Sequence, residues 1–95
     1  MKNLLKMFNP VELDKTKLEF GEAYTYKIFE NDKCEISFLK LLPNSKIKKH
    51  THIYDSEIYF FINEGTYSVC KKGESHELNN SSTEEMYVLS IKTKI

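Results

Sequence analysis

The stretch His50-Thr51-His52-Ile53-Tyr54-Asp55-Ser56-Glu57 decides the fold class of this chain. In a β-strand, side chains at i and i+2 point to the same face, about 7 Å apart, so His50 and His52 are predicted to aim two imidazoles at one point. Tyr54-Asp55-Ser56 has the composition of a tight turn. Glu57 begins a β-rich run that would return its carboxylate to the same point. Two histidines and one carboxylate with open positions are a common ligand set for iron, manganese, nickel or zinc.

A further histidine lies in Gly73-Glu74-Ser75-His76-Glu77-Leu78-Asn79-Asn80, and the chain has only 3 histidines in all. At this point the sequence resembles the cupin superfamily. The first cupin motif has the form G-x5-H-x-H-x3,4-E-x6-G. The residues that match it are His50, His52, Glu57 and Gly65, with one additional residue before the glycine. Asn44 stands where the first glycine is usual, and asparagine tolerates a positive φ better than most residues.

The second cupin motif, G-x5-P-x-G-x2-H-x3-N, is matched by Gly65, Gly73, His76 and Asn80, with Lys71 in the place of the proline. The resemblance implies an all-β, antiparallel cupin-type β-barrel, also called a double-stranded β-helix or jelly roll. It also implies a divalent transition metal (Fe, Mn, Ni or Zn) as the cofactor. The metal ligands that it implies are His50, His52, Glu57 and His76. Asn80 is expected to be a turn residue or to support a ligand rather than to bind the metal.

The region between the two motifs is shorter than the family pattern. Gly65 both closes the first motif and opens the second, so a strand pair is expected to be missing and the barrel to be truncated. A direct turn from the Glu57 strand into the Thr66 strand predicts a positive φ at Gly65. The shortening would also leave a sheet edge exposed, and exposed edges are usually paired or covered. We therefore expect a homodimer, with residues 11–29 of a neighbouring subunit as one possible cover.

The order of the chain predicts an N-terminal arm over residues 1–21 and a single barrel domain over residues 22–95. Within the arm, residues 1–8 are predicted to form one or two helical turns, whereas residues 11–20 have no clear period and would lie on the barrel or on a partner subunit. The barrel is predicted from short β-rich runs separated by turn residues. These runs cover residues 22–29, 34–42, 46–52, 57–62, 66–70, 75–80 and 85–91.

Two strand faces predict the surroundings of the site. On the third predicted strand, Lys46 and Lys48 are in phase with the histidines, so the face is wholly polar, and a metal would explain it. On the fourth, Tyr59 and Phe61 share a face with Glu57 and are predicted to line the pocket. The lysines before His50, which are Lys46, Lys48 and Lys49, form either a solvated surface or a means of attracting an anionic substrate.

Composition restricts the partners. The chain of 95 residues has 14 basic and 14 acidic residues, and every basic one is lysine. A nucleic-acid partner is not expected, because such proteins usually show a basic excess and arginine contacts. No apolar run is long enough to span a bilayer, so no membrane partner is expected and the expected location is cytoplasmic. Cys34 and Cys70 have no metal or redox spacing and are interpreted as buried thiols, with a redox role for Cys70 as the alternative.

Three functions are compatible with this sequence. The first is a small metalloenzyme of dioxygenase, isomerase or lyase type that acts on a small polar or anionic molecule. The second is a non-catalytic sensor or ligand-binding module, in which the same pocket holds a ligand. The third is a structural dimer unit whose metal ties strands together. Because the family pattern supports all three, no catalytic residue is assigned from the sequence.

Overall fold

The computed structural model describes residues 8–51 and 54–94, so the helical turns predicted within residues 1–8 lie outside the described residues, apart from residue 8. Within these residues the chain forms a short 3-10 turn at Lys15–Lys17 and nine β-strands. The strands are β1 (Val11–Glu12), β2 (Leu18–Phe20), β3 (Ala23–Glu30), β4 (Cys34–Leu41), β5 (Ser45–His50), β6 (Ser56–Phe61), β7 (Thr66–Lys71), β8 (His76–Asn80) and β9 (Met86–Thr93). Each strand predicted after residue 21 is present, and its ends differ from the predicted ones by no more than two residues.

The strands form two sheets that face each other. One sheet has the order β1-β3-β4-β9-β6-β7, and the other has the order β2-β5-β8. Every strand pair in both sheets is antiparallel. This arrangement confirms the predicted all-β, antiparallel jelly-roll architecture. In the described part of the chain, no helix has the length and apolar character needed to cross a bilayer.

The hydrophobic core lies between the two sheets, where alternate residues of each strand point inward. Its buried members are Leu18, Ala23, Leu41, Ile47, Tyr59, Leu78 and Val88. A second cluster covers the outer face of the larger sheet, where Tyr26 and Phe38 pack with neighbouring aromatic and aliphatic side chains. Each Å² of apolar surface that is buried stabilises the fold by about 25 cal/mol. The inner cluster is therefore the main stabilising contact between the two sheets.

The N-terminal segment takes part in both sheets. Val11 pairs with Thr25 through β1, and Leu18 pairs with Ile47 through β2. Leu18 is only 6% exposed and belongs to the inner core. The described part of the predicted arm therefore lies on the barrel of its own chain, and its strands complete the sheets. The sequence had no clear period here because these two strands are only two and three residues long.

Two tight corners have the backbone conformation that the sequence predicts. Asn44 has a φ of 55°, and Gly65 has a φ of 70°. Gly65 lies in the four-residue connection between β6 and β7, where its amide donates to the carbonyl of Phe61 at 2.9 Å. Because this connection is so short, β6 and β7 form a direct hairpin, and β7 lies at the end of the larger sheet.

Candidate metal centre

His50 reaches the interior because β5 contains a bulge. Ile47 pairs with Leu78 and His50 pairs with His76, so three steps along β5 match two steps along β8. A bulge inserts one residue and re-aims the side chains that follow it. His50 therefore shares the inward face of Ile47, and the prediction that it lies in phase with Lys46 was wrong. The His50 and His76 rings face each other at a centroid distance of 4.4 Å.

Glu57 and Tyr59 occupy the inward face of β6, as their spacing predicts. Glu57 is 2% exposed and Tyr59 is 4% exposed. The hydroxyl of Tyr59 donates a 2.5 Å hydrogen bond to Glu57 Oε1 and lies 2.9 Å from His76 Nε2. His76 Nε2 is itself 4.0 Å from Glu57 Oε1. The phenol oxygen thus lies between the imidazole and the carboxylate and links them.

Cys70 extends this line of contacts by one residue. Its Sγ lies 3.0 Å from His76 Nδ1. Since Tyr59 donates to Glu57, the Tyr59 oxygen accepts from the Nε2–H of a neutral His76, which leaves Nδ1 to accept from the Cys70 thiol. The four side chains then form one continuous sequence of hydrogen bonds, Cys70 to His76 to Tyr59 to Glu57. Each group holds the next in a defined orientation.

A cavity of about 450 Å³ adjoins Tyr59, one member of this hydrogen-bonded group. His50 and Tyr59 form part of its wall, together with Leu13, Thr16, Lys17, Leu39, Ile47, Lys48, Lys49, Leu78 and Lys92. Phe61, which the sequence also placed at the pocket, lines a different cavity of about 310 Å³ beside Glu64 and Met86. Tyr59 and Phe61 thus share a strand face but border two separate cavities.

Known proteins resemble this chain in fold rather than in sequence. No protein-family profile matches the sequence, and no curated protein matches it. Among solved structures, a protein of Thermotoga maritima described as a predicted oxalate decarboxylase has a TM-score of 0.73 and 19% identity, with coverage of 95% of this chain and 96% of the other. The polyketide cyclase RemF of Streptomyces resistomycificus has a TM-score of 0.62 and 14% identity, with coverage of 85% and 77%.

A third solved structure is the cupin_2 domain of an XRE family transcriptional regulator of Enterobacter cloacae. Its TM-score is 0.53 and its identity is 15%, with coverage of 77% of this chain and 97% of the other. The chain has the cupin fold. Structures similar to it in fold thus include an enzyme and a domain of a regulator. At these identities the likeness concerns the fold, and the site of this chain has to be judged from its own residues.

The predicted metal ligands of this chain lie close together, as far as they are described. His50, Glu57 and His76 all lie on inward faces at one end of the barrel, whereas His52 lies outside the described residues. Within residues 8–51 and 54–94, no three His, Cys, Asp or Glu side chains form a cluster that could hold a metal ion. The donor chemistry, two imidazoles and one carboxylate, nevertheless suits a divalent transition metal.

The orientation of His50 supports this fit. Its Nδ1 lies 2.6 Å from the carbonyl oxygen of Lys48, so Nδ1 carries the proton and donates it to that oxygen. The lone pair of a neutral ring is then on Nε2. Metal-binding histidines usually donate the other ring N–H to a carbonyl or carboxylate in this way. Because the contact comes from the bulged segment of β5, the bulge both turns His50 inward and selects its tautomer.

Burial controls the protonation of the site. It raises the pKa of Glu57, against the opposing effects of the Tyr59 hydrogen bond and the Lys92 charge. Burial, together with the charges of His50 and Lys92, lowers the pKa of His76. Burial and the Glu74 and Glu57 carboxylates raise the pKa of the Cys70 thiol. The site therefore favours neutral His76 and a protonated thiol, and the latter argues against the redox alternative for Cys70.

The basic run before His50 divides into two parts. Lys46 forms ion pairs with Glu19 at 3.0 Å and Glu77 at 3.6 Å, so its charge is compensated. Lys48 and Lys49 border the cavity instead. Lys17 and Lys92 border the same cavity and were not identified from the sequence. Lys92 is the residue of β9 that pairs with Glu57, so it lies on the same face of the sheet. The sequence could have indicated Lys92 only if the pairing of β6 with β9 had been known.

Proposed function

We propose that this cupin binds a divalent transition metal and is a small-molecule metalloenzyme of dioxygenase, isomerase or lyase type. The observation that carries the proposal is the burial of Glu57, which is 2% exposed and whose Oε1 lies 4.0 Å from His76 Nε2. A carboxylate is costly to bury unless cations or donors compensate its charge. The proposed ligands are His50, His52, Glu57 and His76, and the proposed substrate is a small polar or anionic molecule.

The residues around the proposed metal would have different roles. A bound divalent metal supplies Lewis acidity and open positions for a small molecule. The Tyr59 hydroxyl is held between Glu57 and His76, where it would orient both of these proposed ligands. Cys70 fixes the ring of His76. The apolar side chains of the cavity wall limit access of water, and the lysines at its border attract negative charge.

A non-catalytic role is the second candidate. It is supported by the hydrogen bonds from Cys70 through His76 and Tyr59 to Glu57, which satisfy these polar groups without a metal. It is also supported by the likeness to the cupin domain of a transcriptional regulator. In this role the cavity would hold a ligand, and the cupin would act as a binding or sensor module. A structural dimer unit, in which the metal only stabilises the fold, is the remaining alternative.

Metal analysis tests the proposal directly. Protein purified without a histidine tag or chelator should contain a stoichiometric transition metal, and the double variant His50→Ala/His52→Ala should lose it while remaining folded. Thr51→Ala changes the exposed residue between the two histidines and is the matched control. Equal metal content in the double variant and the control would refute the proposed site. Since histidine must be neutral to bind metal, occupancy should also fall as the pH drops below the histidine range.

We also propose that the cupin forms a homodimer through the β7 end of the larger sheet. Tyr67 and Val69 on the outer face of β7 are 67% and 51% exposed, and the Tyr67 ring lies 5.8 Å from that of Phe60. An exposed apolar edge strand is a template for pairing with another chain. Light scattering should give the mass of a dimer for the wild type and of a monomer for Tyr67→Lys/Val69→Lys. A monomeric wild type at all concentrations would contradict this proposal.

A further inference from the structure

We propose that the cavity beside His50 binds an organic anion with an apolar body, such as a medium-chain or aromatic carboxylate. This inference deepens the proposed function, because it names the class of molecule that the same site accepts. It rests on three features of the cavity: its uncompensated lysines, its apolar wall and the bulge that brings two adjacent lysines to one opening.

The charge at the cavity border has one sign. Among the described residues, four lysines border it, Lys17, Lys48, Lys49 and Lys92, and no aspartate or glutamate does. The chain as a whole is neutral, with 14 basic and 14 acidic residues. The four cations are therefore a local concentration rather than part of a generally basic surface. A cleft lined by one sign of charge attracts and retains ions of the other sign.

These four lysines also differ from Lys27 and Lys46, whose charges are compensated by nearby carboxylates. Lys27 pairs with Glu30 at 3.2 Å, and Lys46 pairs with two glutamates. Among the residues that the structure describes, none of the four cavity lysines forms an ion pair with a carboxylate. Lys92 lies 5.7 Å from the centroid of the Tyr54 ring and is opposite Glu57 in the register of β6 and β9. The cavity thus has positive charge available for a ligand.

The bulge in β5 explains why Lys48 and Lys49 both border the cavity. On a regular strand, adjacent side chains point to opposite faces. Here the extra residue between Ile47 and His50 interrupts the alternation. Consecutive lysines consequently reach the same opening, next to the imidazole of His50. A regular β5 would present only one of them.

The wall of the cavity below the lysines is apolar. It is formed by Leu13, Leu39, Ile47 and Leu78, and the last two are buried core residues. A volume of about 450 Å³ is within the usual range for small-molecule sites. A small inorganic anion would satisfy the lysines but leave the aliphatic wall without a partner. An anionic head joined to an apolar chain or ring satisfies both parts of the cavity.

Binding of octanoate to chelator-treated protein tests the inference, with octanol and inorganic phosphate as matched probes. Octanol has the same apolar chain without the charge, and phosphate has the charge without the chain. Octanoate should bind more tightly than either, by about tenfold, because a charge-assisted hydrogen bond adds to apolar contact. Octanoate affinity should also fall as salt concentration rises. Octanol binding as tight as that of octanoate would overturn the inference.

The variant Lys48→Met/Lys49→Met should bind octanoate about tenfold more weakly than the wild type, because it removes two cavity cations while keeping the length of the side chains. Lys46→Met is the matched control, since it removes a lysine from the same strand that is already compensated by Glu19 and Glu77. The control should retain wild-type affinity. Equal octanoate binding in the double variant and the control would overturn the inference. If the double variant does not fold, the comparison of octanoate with octanol binding to the wild type still tests the inference.

A metal titration of the same proteins separates this inference from the proposed function. The lysine variants should take up metal as the wild type does, because lysine is not among the proposed ligands. Octanoate binding without any metal uptake would support the anion site and refute the metalloenzyme. Metal uptake without a preference for octanoate would support the metal site and refute the anion site.

Discussion

The hydroxyl of Tyr59 donates a 2.5 Å hydrogen bond to Glu57 Oε1, two residues earlier on the same inward face of β6. The same oxygen lies 2.9 Å from His76 Nε2 on the opposing sheet. Tyr59 therefore bridges the two sheets at the point where the proposed ligands meet. Any metal that binds Glu57 and His76 has to displace these hydrogen bonds or include the phenol oxygen among its ligands.

Tyr59→Phe separates these two possibilities. The variant removes a donor to a buried carboxylate, so the metal-free protein should lose about 1–3 kcal/mol of unfolding free energy. If the hydroxyl only competes with the metal, the variant should bind metal several-fold more tightly, which calorimetric titration would measure. Loss of metal binding would instead identify the Tyr59 oxygen as a ligand. Tyr26→Phe, in the outer cluster, controls for the effect of removing a hydroxyl elsewhere.

Cys70 is predicted to position His76. Its Sγ contacts Nδ1 at 3.0 Å, and replacing a partner of this kind typically lowers metal affinity about 10–100-fold. Cys70→Ala should show this loss, whereas Cys70→Ser keeps a hydroxyl that can exchange a hydrogen bond with Nδ1 and should lose less. Competition with a chromogenic chelator would measure both affinities. Equal affinities in wild type, Cys70→Ala and Cys70→Ser would show that the contact has no role in metal binding.

Two glycines with positive φ should respond differently to substitution. At Gly65, with a φ of 70°, an added Cβ meets no atom within 4 Å. Gly65→Ala should therefore lower the free energy of unfolding by only about 1–2 kcal/mol, the cost of placing an L-residue at a positive φ. At Gly21, an added Cβ would be 2.5 Å from Ser45 Cα and 2.6 Å from the Asn44 carbonyl oxygen. Gly21→Ala should therefore destabilise the protein far more. Thermal unfolding would compare the two.

Asparagine is the matched substitution at Gly65, because it tolerates a positive φ better than alanine or valine. Gly65→Asn should lower the free energy of unfolding less than Gly65→Ala does, and Gly65→Val should lower it most. Valine at this corner should also lower metal affinity, since the corner joins the strand that carries Glu57 to the strand that carries Cys70. An unshifted melting temperature for Gly65→Val would refute the account of how the short connection closes.

Alkaline unfolding should report on Tyr87. Its hydroxyl donates to Glu85 at 2.6 Å, and this hydrogen bond, followed by burial and the Glu85 charge, raises the pKa of Tyr87 to about 12. A raised folded-state pKa stabilises the protein below the ordinary tyrosine pKa of about 10, and this contribution is lost as the pH rises toward 12. The wild type should therefore lose more stability than Tyr87→Phe across this interval. Parallel curves for the two proteins would contradict the assignment.

Glu85→Gln provides the control for that experiment. The amide keeps an acceptor oxygen for the Tyr87 hydroxyl but removes the negative charge, so the pKa of Tyr87 should move toward its ordinary value. Phenolate absorbance during a pH titration would detect the shift. A titration unchanged by Glu85→Gln would show that the carboxylate is not the cause.

Part of the candidate site could be predicted because it depends on neighbours along the chain. The two-residue period of a strand places Glu57 and Tyr59 on one face whatever the rest of the barrel does. Asn44 and Gly65 were predicted to occupy tight corners because few residues adopt a positive φ, and both do so. The strands between these corners were identified from β-rich runs bounded by turn residues for the same local reason.

The position of His50 could not be predicted in this way. A regular strand would put it in phase with Lys46 and Lys48, whereas the bulge opposite β8 turns it inward beside Ile47. The convergence of Lys17, Lys48 and Lys92 on one cavity is equally non-local, since they come from the 3-10 turn, β5 and β9. The hydrogen bond between Cys70 and His76 depends on how β7 meets β8 across the two sheets.

The amino-acid sequence by itself determined the strand pattern, the tight corners and the resemblance that identified the candidate ligands. Each of these depends on backbone preference or on spacing within a few residues. The tertiary structure alone decided which face His50 presents, which lysines surround the cavity and that the Tyr59 hydroxyl lies between Glu57 and His76. These features depend on the register between strands that are distant in sequence, and register is chosen by the packing of the whole core and by bulges within it.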